Sequence, residues 1–170
     1  APRLLIFDLG SGRVLGVIDL EVMQVAWQIY EEIGIRDQSF QINSTGCPEC
    51  RPGYLATLKA WYEGYQGDIC SDCQRRYEHN LLRLLDCKNE HCRTISERAP
   101  RIVECLCSDC SDHFEQLRSY LDVLGRPYDV NHRLVRGLDY YTKTVFEVWS
   151  AGIGAQNAVC GGGRYDGLVE

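Results

Sequence analysis

An α+β fold, in which strands of an antiparallel sheet are interrupted by a mainly α-helical, Cys-rich insertion domain, is predicted by three observations. Strand-like stretches lie on either side of the middle: SFQIN over 39–43, then TVFEVWS over 144–150 and AVCGGG over 158–163. Between them strand alternation vanishes and helical spacing takes over. That middle also holds nine of the ten cysteines, all but Cys160, and eight of the nine, all but Cys105, fall into close pairs. The predicted division is 1–46 as a partial domain of strand, helix and strand, 47–126 as the insertion, and 127–170 as a returning hairpin.

The totals fit this. A chain of 170 residues with 45% hydrophobic residues can build one medium core or two small ones. A net charge of −6 argues against a broad basic surface for nucleic acid, but not against a local one. No stretch approaches the ~18 consecutive apolar residues of a membrane span. The apolar run Leu4–Leu9 lacks a basic lead and a cleavage site, so a cytoplasmic chain is expected. Ten cysteines without a secretory signal point to metal in a reducing compartment rather than to disulfides.

Taken in order, residues 3–9 (RLLIFDL) read as a strand ended by Gly10 and Gly12, with no role in a site. Asp19 to Ile33 reads as a helix with Asp19 as N-cap and Gly34 closing it. Its apolar stripe is expected to be Val22, Val25, Ala26, Ile29 and Ile33. Pro52 opens a second helix, with Leu55, Leu58, Trp61, Tyr62 and Tyr65 on one side. A short helix from Ser71 to about His79 follows, then the apolar run Leu81–Leu85. Pro100 breaks the chain. Cys105 to Leu124 reads as mostly helix, with Phe114, Leu117, Leu121 and Leu124 at spacings of three and four, and Gly125 and Pro127 end it.

Eight cysteines fall into close pairs: Cys47 with Cys50, Cys70 with Cys73, Cys87 with Cys92, and Cys107 with Cys110. A CxxC pair lets two thiolates reach one ion from a tight turn, and two such pairs complete a tetrahedral zinc site. The first two pairs have zinc-ribbon-like spacing, with nineteen residues between Cys50 and Cys70; the last two pairs are also close enough to combine. Two sites would use all eight thiols. A single site joining Cys47 and Cys50 to Cys107 and Cys110 is the simpler alternative, and free buried thiols are the plainest. Any metal would be a structural staple for a module with little core of its own. His91 lies beside Cys92 and can substitute as a ligand; His79, His113 and His132 have no ligand spacing.

The chemistry concentrates in LVRGLDYYTKTVFE (134–147) and CGGGRYDGL (160–168). They read as a hairpin around the turn Gly152–Gly154. Glycines on one strand let a ligand lie against the backbone. Arg136 supplies a cation for an anionic group, and tyrosines supply phenols for a polar ring. The plainer alternatives are an ion pair of Arg136 with Asp139 or Glu147, and tyrosines that only pack in strands.

These two stretches resemble, almost residue for residue and in the same order, the signature stretches of histidyl-tRNA synthetases, which are class II enzymes. The resemblance implies that residues 1–46 and 127–170 are parts of a class II catalytic sheet, and that the parent reaction charges tRNA(His) with histidine at the expense of ATP, with Mg2+ supporting the nucleotide. It implies Arg136 as the catalytic arginine at the α-phosphate, Tyr141 and Tyr165 as readers of the imidazole with Tyr140 beside them, and Gly161, Gly162 and Gly163 as the floor under the amino acid. Arg164 and Asp166 are expected to pair and hold the turn, and Asp139 to support the site. The insertion is expected to reach over the acceptor stem, with Lys59, Arg75, Arg76 and Arg83 as phosphate contacts. Family members often lack cysteines at these places, so zinc is not required for the chemistry. The family is dimeric, yet its dimerisation motif and ATP-binding arginine motif are not found before Asp19, nor its final motif before Glu170. The residues therefore correspond to the middle of a synthetase, and the chain alone is expected not to aminoacylate. The rival expectations are a histidine-binding regulatory paralogue and a zinc-binding interaction module.

Overall fold

The computed structural model describes residues 16–136, 141–151 and 157–166. In chain order these are α1 (Val17–Glu32), β1 (Gln38–Ser44), α2 (Arg51–Glu63), α3 (Ser71–His79), a 3-10 turn (Leu81–Leu84), α4 (Glu90–Glu97), a second 3-10 turn (Ile102–Glu104), α5 (Ser108–Val123), β2 (Tyr128–Val130), β3 (Thr142–Ser150) and β4 (Ala158–Arg164). The expected strand over 3–9, Tyr140, Asp139 and the hairpin turn Gly152–Gly154 lie outside the described residues.

The sheet order is β2-β1-β3-β4. β1 pairs antiparallel with β3 and β3 antiparallel with β4, as the hairpin reading requires. The short β2 was not expected, and it pairs parallel to β1, so the sheet is mixed. It carries only three residues (YDV), too few for alternation to show in sequence.

Alternation sets the two faces of the sheet. Phe40, Ile42, Phe146 and Val148 point to one side and form a core with Leu20, Met23 and Trp27 of α1 and Phe114, Leu117 and Leu121 of α5. At ~1.5–3 kcal/mol for each large side chain buried, this layer is a main source of the fold's stability. The other face carries Gln41, Asn43, Val145, Glu147 and Trp149, and supports the candidate site.

Two sequence expectations fail here. The predicted stripe of α1 is on the wrong side: Val22, Val25, Ile29 and Ile33 are 53–68% exposed, and Leu20, Met23 and Trp27 are buried instead. The helix is apolar on two faces, and periodicity alone does not say which one meets the sheet. Asp19 is not the N-cap. Gly16, at φ 64°, caps α1 without a side-chain bond, and the carboxylate of Asp19 turns inward to His113. Gly34 does close the helix, at φ 96°.

Residues 54–102, within the stretch expected to be an insertion, share a second core built from Tyr54, Leu58, Tyr62, Ile69, Tyr77, Leu84, Leu85, Ile95 and Ile102. Helix α5 falls inside the sequence range 47–126, but its apolar face packs on α1 and the sheet rather than on this core. Both cysteine-bearing ends of this stretch lie near the sheet: Cys47 comes three residues after β1 ends, and Cys107 is the residue before α5.

Candidate functional site

A cavity of about 580 Å³ lies between the polar face of the sheet and the insertion. The sheet side contributes Tyr141, Glu147 and Trp149; the insertion contributes Arg83, Leu85, Asp86 and Arg93; residues 131–136 run between them. That segment is pinned from below by Asn43, whose Nδ2 donates to the carbonyls of Leu134 (3.0 Å) and His132 (3.4 Å). It is pinned from above where Arg133 Nε donates to the Leu85 carbonyl (3.4 Å) and His132 Nε2 lies 3.2 Å from the Ser96 carbonyl oxygen. The insertion is thus one wall of the cavity.

Arg136 stands over the sheet in this cavity. Its Nη1 donates to Glu147 Oε1 at 2.9 Å, and the other carboxylate oxygen of Glu147 accepts from Trp149 Nε1 at 2.9 Å. The pairing with Glu147 foreseen as the plainer alternative is realised. It also fixes the guanidinium, which remains 28% exposed toward the cavity. Glu147 and Trp149 were not named as site residues in the sequence. Their signal was the alternation of β3, where 145, 147 and 149 share a face.

At each glycine of the triplet an added side chain would collide with its neighbours. Gly161 and Gly163 lie beneath Arg136 and Tyr141, and Gly162 lies on the Phe146 side. A Cβ at Gly161 would meet Arg136 Nη1 at 2.7 Å, and one at Gly163 would meet the Tyr141 ring at 2.8 Å. A Cβ at Gly162 would touch the Phe146 ring at 3.0 Å. Tyr141 and Tyr165 come together edge to face, with ring centroids 5.2 Å apart. Arg164 Nε donates to both carboxylate oxygens of Asp166, at 2.7 and 2.9 Å. Asp166 also accepts from Thr142 Oγ1 at 2.7 Å, so the pair ties the end of β4 to the start of β3. Burial opposes ionisation of Asp166, but Arg164 and Thr142 hold its pKa below the ordinary carboxylate range.

The four basic residues suggested for nucleic acid are not gathered in one place. Arg83 lines the main cavity and pairs with Asp86 at 3.5 Å. Lys59 lies over the Tyr77 ring in a separate groove. Arg75 pairs with Asp72, and Arg76 donates to the Arg83 carbonyl at 3.2 Å.

The cysteines form two four-thiol clusters, one from the outer two pairs and one from the inner two. Cys47 and Cys50 meet Cys107 and Cys110, and Cys70 and Cys73 meet Cys87 and Cys92. The chain-order pairing, which joined Cys47 and Cys50 to Cys70 and Cys73, is therefore corrected. The alternative pairing is the one formed, and a second cluster exists beside it. Within each cluster all sulfurs lie within 4.8 Å of one another. His91 is not among the clustered residues; its backbone N–H instead donates to Asn89 Oδ1, which caps α4. Burial raises the Cys47 thiol, but backbone N–H groups of Cys50 and Glu49 outweigh it and bring it down to about 7. Cys70 comes down to about 7 chiefly through the backbone N–H of Cys73. Cys73 and Cys110 are pushed up by burial.

His113, left as structural by the sequence, is buried between α1, α5 and β3. Its Nε2 lies 2.8 Å from both Asp19 Oδ2 and Thr144 Oγ1. Burial would raise the pKa of Asp19, but the bonds from His113 and Thr144 and the charge of Arg164 lower it.

Arg136 and Tyr141 line the cavity, with Tyr165 and the glycines of β4 beside them, and its size suits a small molecule. The comparisons with known proteins make the class specific. Residues 71–170 match the family model described as histidyl-tRNA synthetase. The chain is 51% identical over 159 residues to the histidine–tRNA ligase of Dehalococcoides mccartyi, covering 94% of this chain and 38% of that protein. It is 51% identical over 152 residues to that of Caldanaerobacter subterraneus, covering 89% of this chain and 36% of that one. Among solved structures it resembles apo histidyl-tRNA synthetase from S. aureus, with a TM-score of 0.67 and 36% identity, over 92% of this chain and 38% of the other. The chain belongs to the histidyl-tRNA synthetase family. It spans little more than a third of the length of these relatives.

Proposed function

We propose that this chain is the histidine-recognising part of a histidine–tRNA ligase, which in its entirety activates histidine with ATP and transfers it to tRNA(His). Residues 1–46 and 127–170 would belong to the catalytic domain and 47–126 to the insertion, with α5 serving the catalytic sheet. The observation that carries this is the convergence of Arg136, Tyr141, Tyr165, Gly161 and Gly163 on one side of the hairpin, next to a cavity able to hold an amino acid.

Activation joins the histidine carboxylate to the α-phosphate of ATP, and negative charge grows around phosphorus in the transition state. A guanidinium fixed in advance stabilises that charge at no cost of reorganisation. Arg136 suits this role because Glu147 and Trp149 hold it from one side and leave the other toward the cavity. Mg2+ would accompany ATP and share in neutralising its phosphates. Tyr141 and Tyr165 would recognise the imidazole, with Tyr140 nearby. A pocket built to hydrogen-bond a polar ring rejects side chains that leave its groups unpaired. Gly161, Gly162 and Gly163 would let the amino acid lie close to β4. Arg83 and Arg93, on the insertion wall, bring positive charge toward the same cavity. Lys59, Arg75 and Arg76 would act, if at all, as scattered phosphate contacts for tRNA. The intact protein would be a cytoplasmic homodimer; among the described residues no helix is long and apolar enough to cross a membrane. The thiol clusters would hold structural zinc with no part in the reaction.

The test is histidine-dependent exchange between ATP and pyrophosphate by a protein of the relatives' full length that contains this chain. Exchange stimulated by histidine and by no other amino acid is expected. A pure, folded protein that binds histidine without exchange would overturn the ligase reading in favour of a regulatory one.

A further inference from the structure

We propose that the chain binds two zinc ions, one in each of two closed four-thiolate sites (Cys47/Cys50/Cys107/Cys110 and Cys70/Cys73/Cys87/Cys92), and that the first ion clasps the ends of the insertion to Tyr141 and the start of β3. The clasp role deepens the functional reading above and rests on it; the metal sites do not.

The spacing of the sulfurs fits a tetrahedral tetrathiolate ion such as zinc. A tetrahedral Zn–S4 centre has bonds of ~2.3 Å, which sets its S···S edges at about 3.8 Å. Cys47 Sγ lies 3.8 Å from Cys50 Sγ and 3.7 Å from Cys107 Sγ, and Cys70 Sγ lies 3.8 Å from Cys87 Sγ. A disulfide needs sulfurs at ~2.05 Å, so these are not bridges. Sulfurs all within 4.8 Å of one another enclose a single ion, not a multinuclear cluster. Four thiolates leave no open position, which makes both sites structural rather than catalytic. Backbone N–H groups point at sulfur in both: Cys47 N to Cys50 Sγ at 3.3 Å, and Cys70 N to Cys92 Sγ at 3.2 Å. Such donors stabilise the charge that thiolates keep when bound to metal.

The sites differ in what they join. The second lies wholly within the insertion core, where Cys73, Cys87 and Cys92 are buried. The first sits where β1 ends and α5 begins, and four connections run from it to residues 141–143. Gly46, next to Cys47, accepts from the Lys143 amide at 2.9 Å, and the Thr45 amide donates to the Lys143 carbonyl at 2.7 Å. Arg51, next to Cys50, donates through its guanidinium to the carbonyls of Thr45 and Tyr141. Asp109, between Cys107 and Cys110, pairs with Lys143 Nζ at 2.6 Å. Gly46 itself has φ 65°, and a Cβ there would strike Cys50 Sγ at 2.9 Å, so the turn is shaped around the sulfur.

The experiment begins with metal analysis of the purified chain, prepared without chelator. Two zinc ions per chain are expected; one or none overturns the proposal, and so does bound iron in place of zinc. Replacement by Co(II) should give the visible spectrum of tetrahedral tetrathiolate cobalt, with two equivalents taken up. The ligand sets are then separated by two quadruple variants, C47S/C50S/C107S/C110S and C70S/C73S/C87S/C92S. Each should retain one zinc. Under the chain-order pairing the first variant would lose both, which would refute the assignment. If a variant does not fold, cadmium NMR of the unaltered chain decides: two resonances in the four-thiolate range support two sites, and one refutes them. For the clasp, stripping zinc from the C70S/C73S/C87S/C92S variant, whose one remaining ion is in the first site, should speed hydrogen exchange of the Thr45 and Lys143 amides at least tenfold. Stripping it from the other quadruple variant should leave them unchanged. Equal effects would overturn the clasp. Histidine binding, measured alongside, stands apart: its absence from the unaltered chain would count against the Tyr141 reading and leave the metal results standing.

Discussion

Two glycines on the same strand and the same face should respond differently to alanine. At Gly163 an added Cβ would lie 2.5 Å from the backbone carbonyl oxygen of Thr144 and 2.8 Å from the Tyr141 ring. Ordinary contact requires ~3.4 Å or more, so neighbours must retreat by almost an ångström, and one of them is backbone in the adjacent strand. Overpacking of this kind costs about 1–3 kcal/mol. In a chain of this size 1 kcal/mol moves Tm by about 2–4 °C, so Gly163→Ala should melt about 2–12 °C lower. At Gly161 the three atoms nearest the added Cβ all belong to the guanidinium of Arg136, the closest at 2.7 Å. That group is the end of a flexible side chain and can swing aside. Reduced freedom of the unfolded chain offsets part of any cost by about 0.4–1 kcal/mol. Gly161→Ala should therefore keep Tm within about 2 °C while moving Arg136 off Glu147. The assay is thermal unfolding of both variants by circular dichroism at matched metal content. Equal melting of the two, or a Gly163→Ala chain as stable as the parent, would refute the close-packed glycine floor.

Acid should destabilise the chain through Asp19 and Asp166, whose folded pKa values lie below the ordinary carboxylate value of 3.8. Between folded and ordinary values the unfolded chain holds the proton and the native one does not. Their stabilisation is therefore complete above the ordinary value and lost as pH falls through the folded one. Urea unfolding from about pH 5 to pH 2 should show this slope, and Asp19→Asn should flatten it; an unchanged slope would count against the buried Asp19–His113–Thr144 cluster. Leu117, fully buried where α5 meets α1 and the sheet, should cost about 2–5 kcal/mol on truncation to alanine. A loss under ~1 kcal/mol in urea unfolding would mean that α5 does not belong to that core.

The strands and most helices were legible in the sequence because alternation and helix-end signals are local. SFQIN, TVFEVWS and AVCGGG became β1, β3 and β4, and Ser71–His79 is a helix with the foreseen bounds. The Arg164–Asp166 pair was also foreseen. What failed depends on long-range choices. Helix α1 offers two apolar faces, and only the sheet selects Leu20, Met23 and Trp27. Cysteine spacing permits either pairing, and only the meeting of both insertion ends at β1 brings Cys107 to Cys47. Arg51 gave no signal, because its partners are carbonyl oxygens that no sequence pattern marks.

The central claim is that this hairpin recognises histidine and activates its carboxylate. The most direct measurement is histidine-dependent pyrophosphate exchange by the full-length protein, comparing the parent with Tyr141→Phe and Arg136→Gln. Loss of one hydrogen bond to the imidazole is worth about 0.5–1.5 kcal/mol, so Tyr141→Phe should raise KM for histidine about 2–12-fold. Removing the preorganised cation should lower kcat about 100–1,000-fold for Arg136→Gln, with little change in Tm. Unaltered kinetics in both variants would contradict the account.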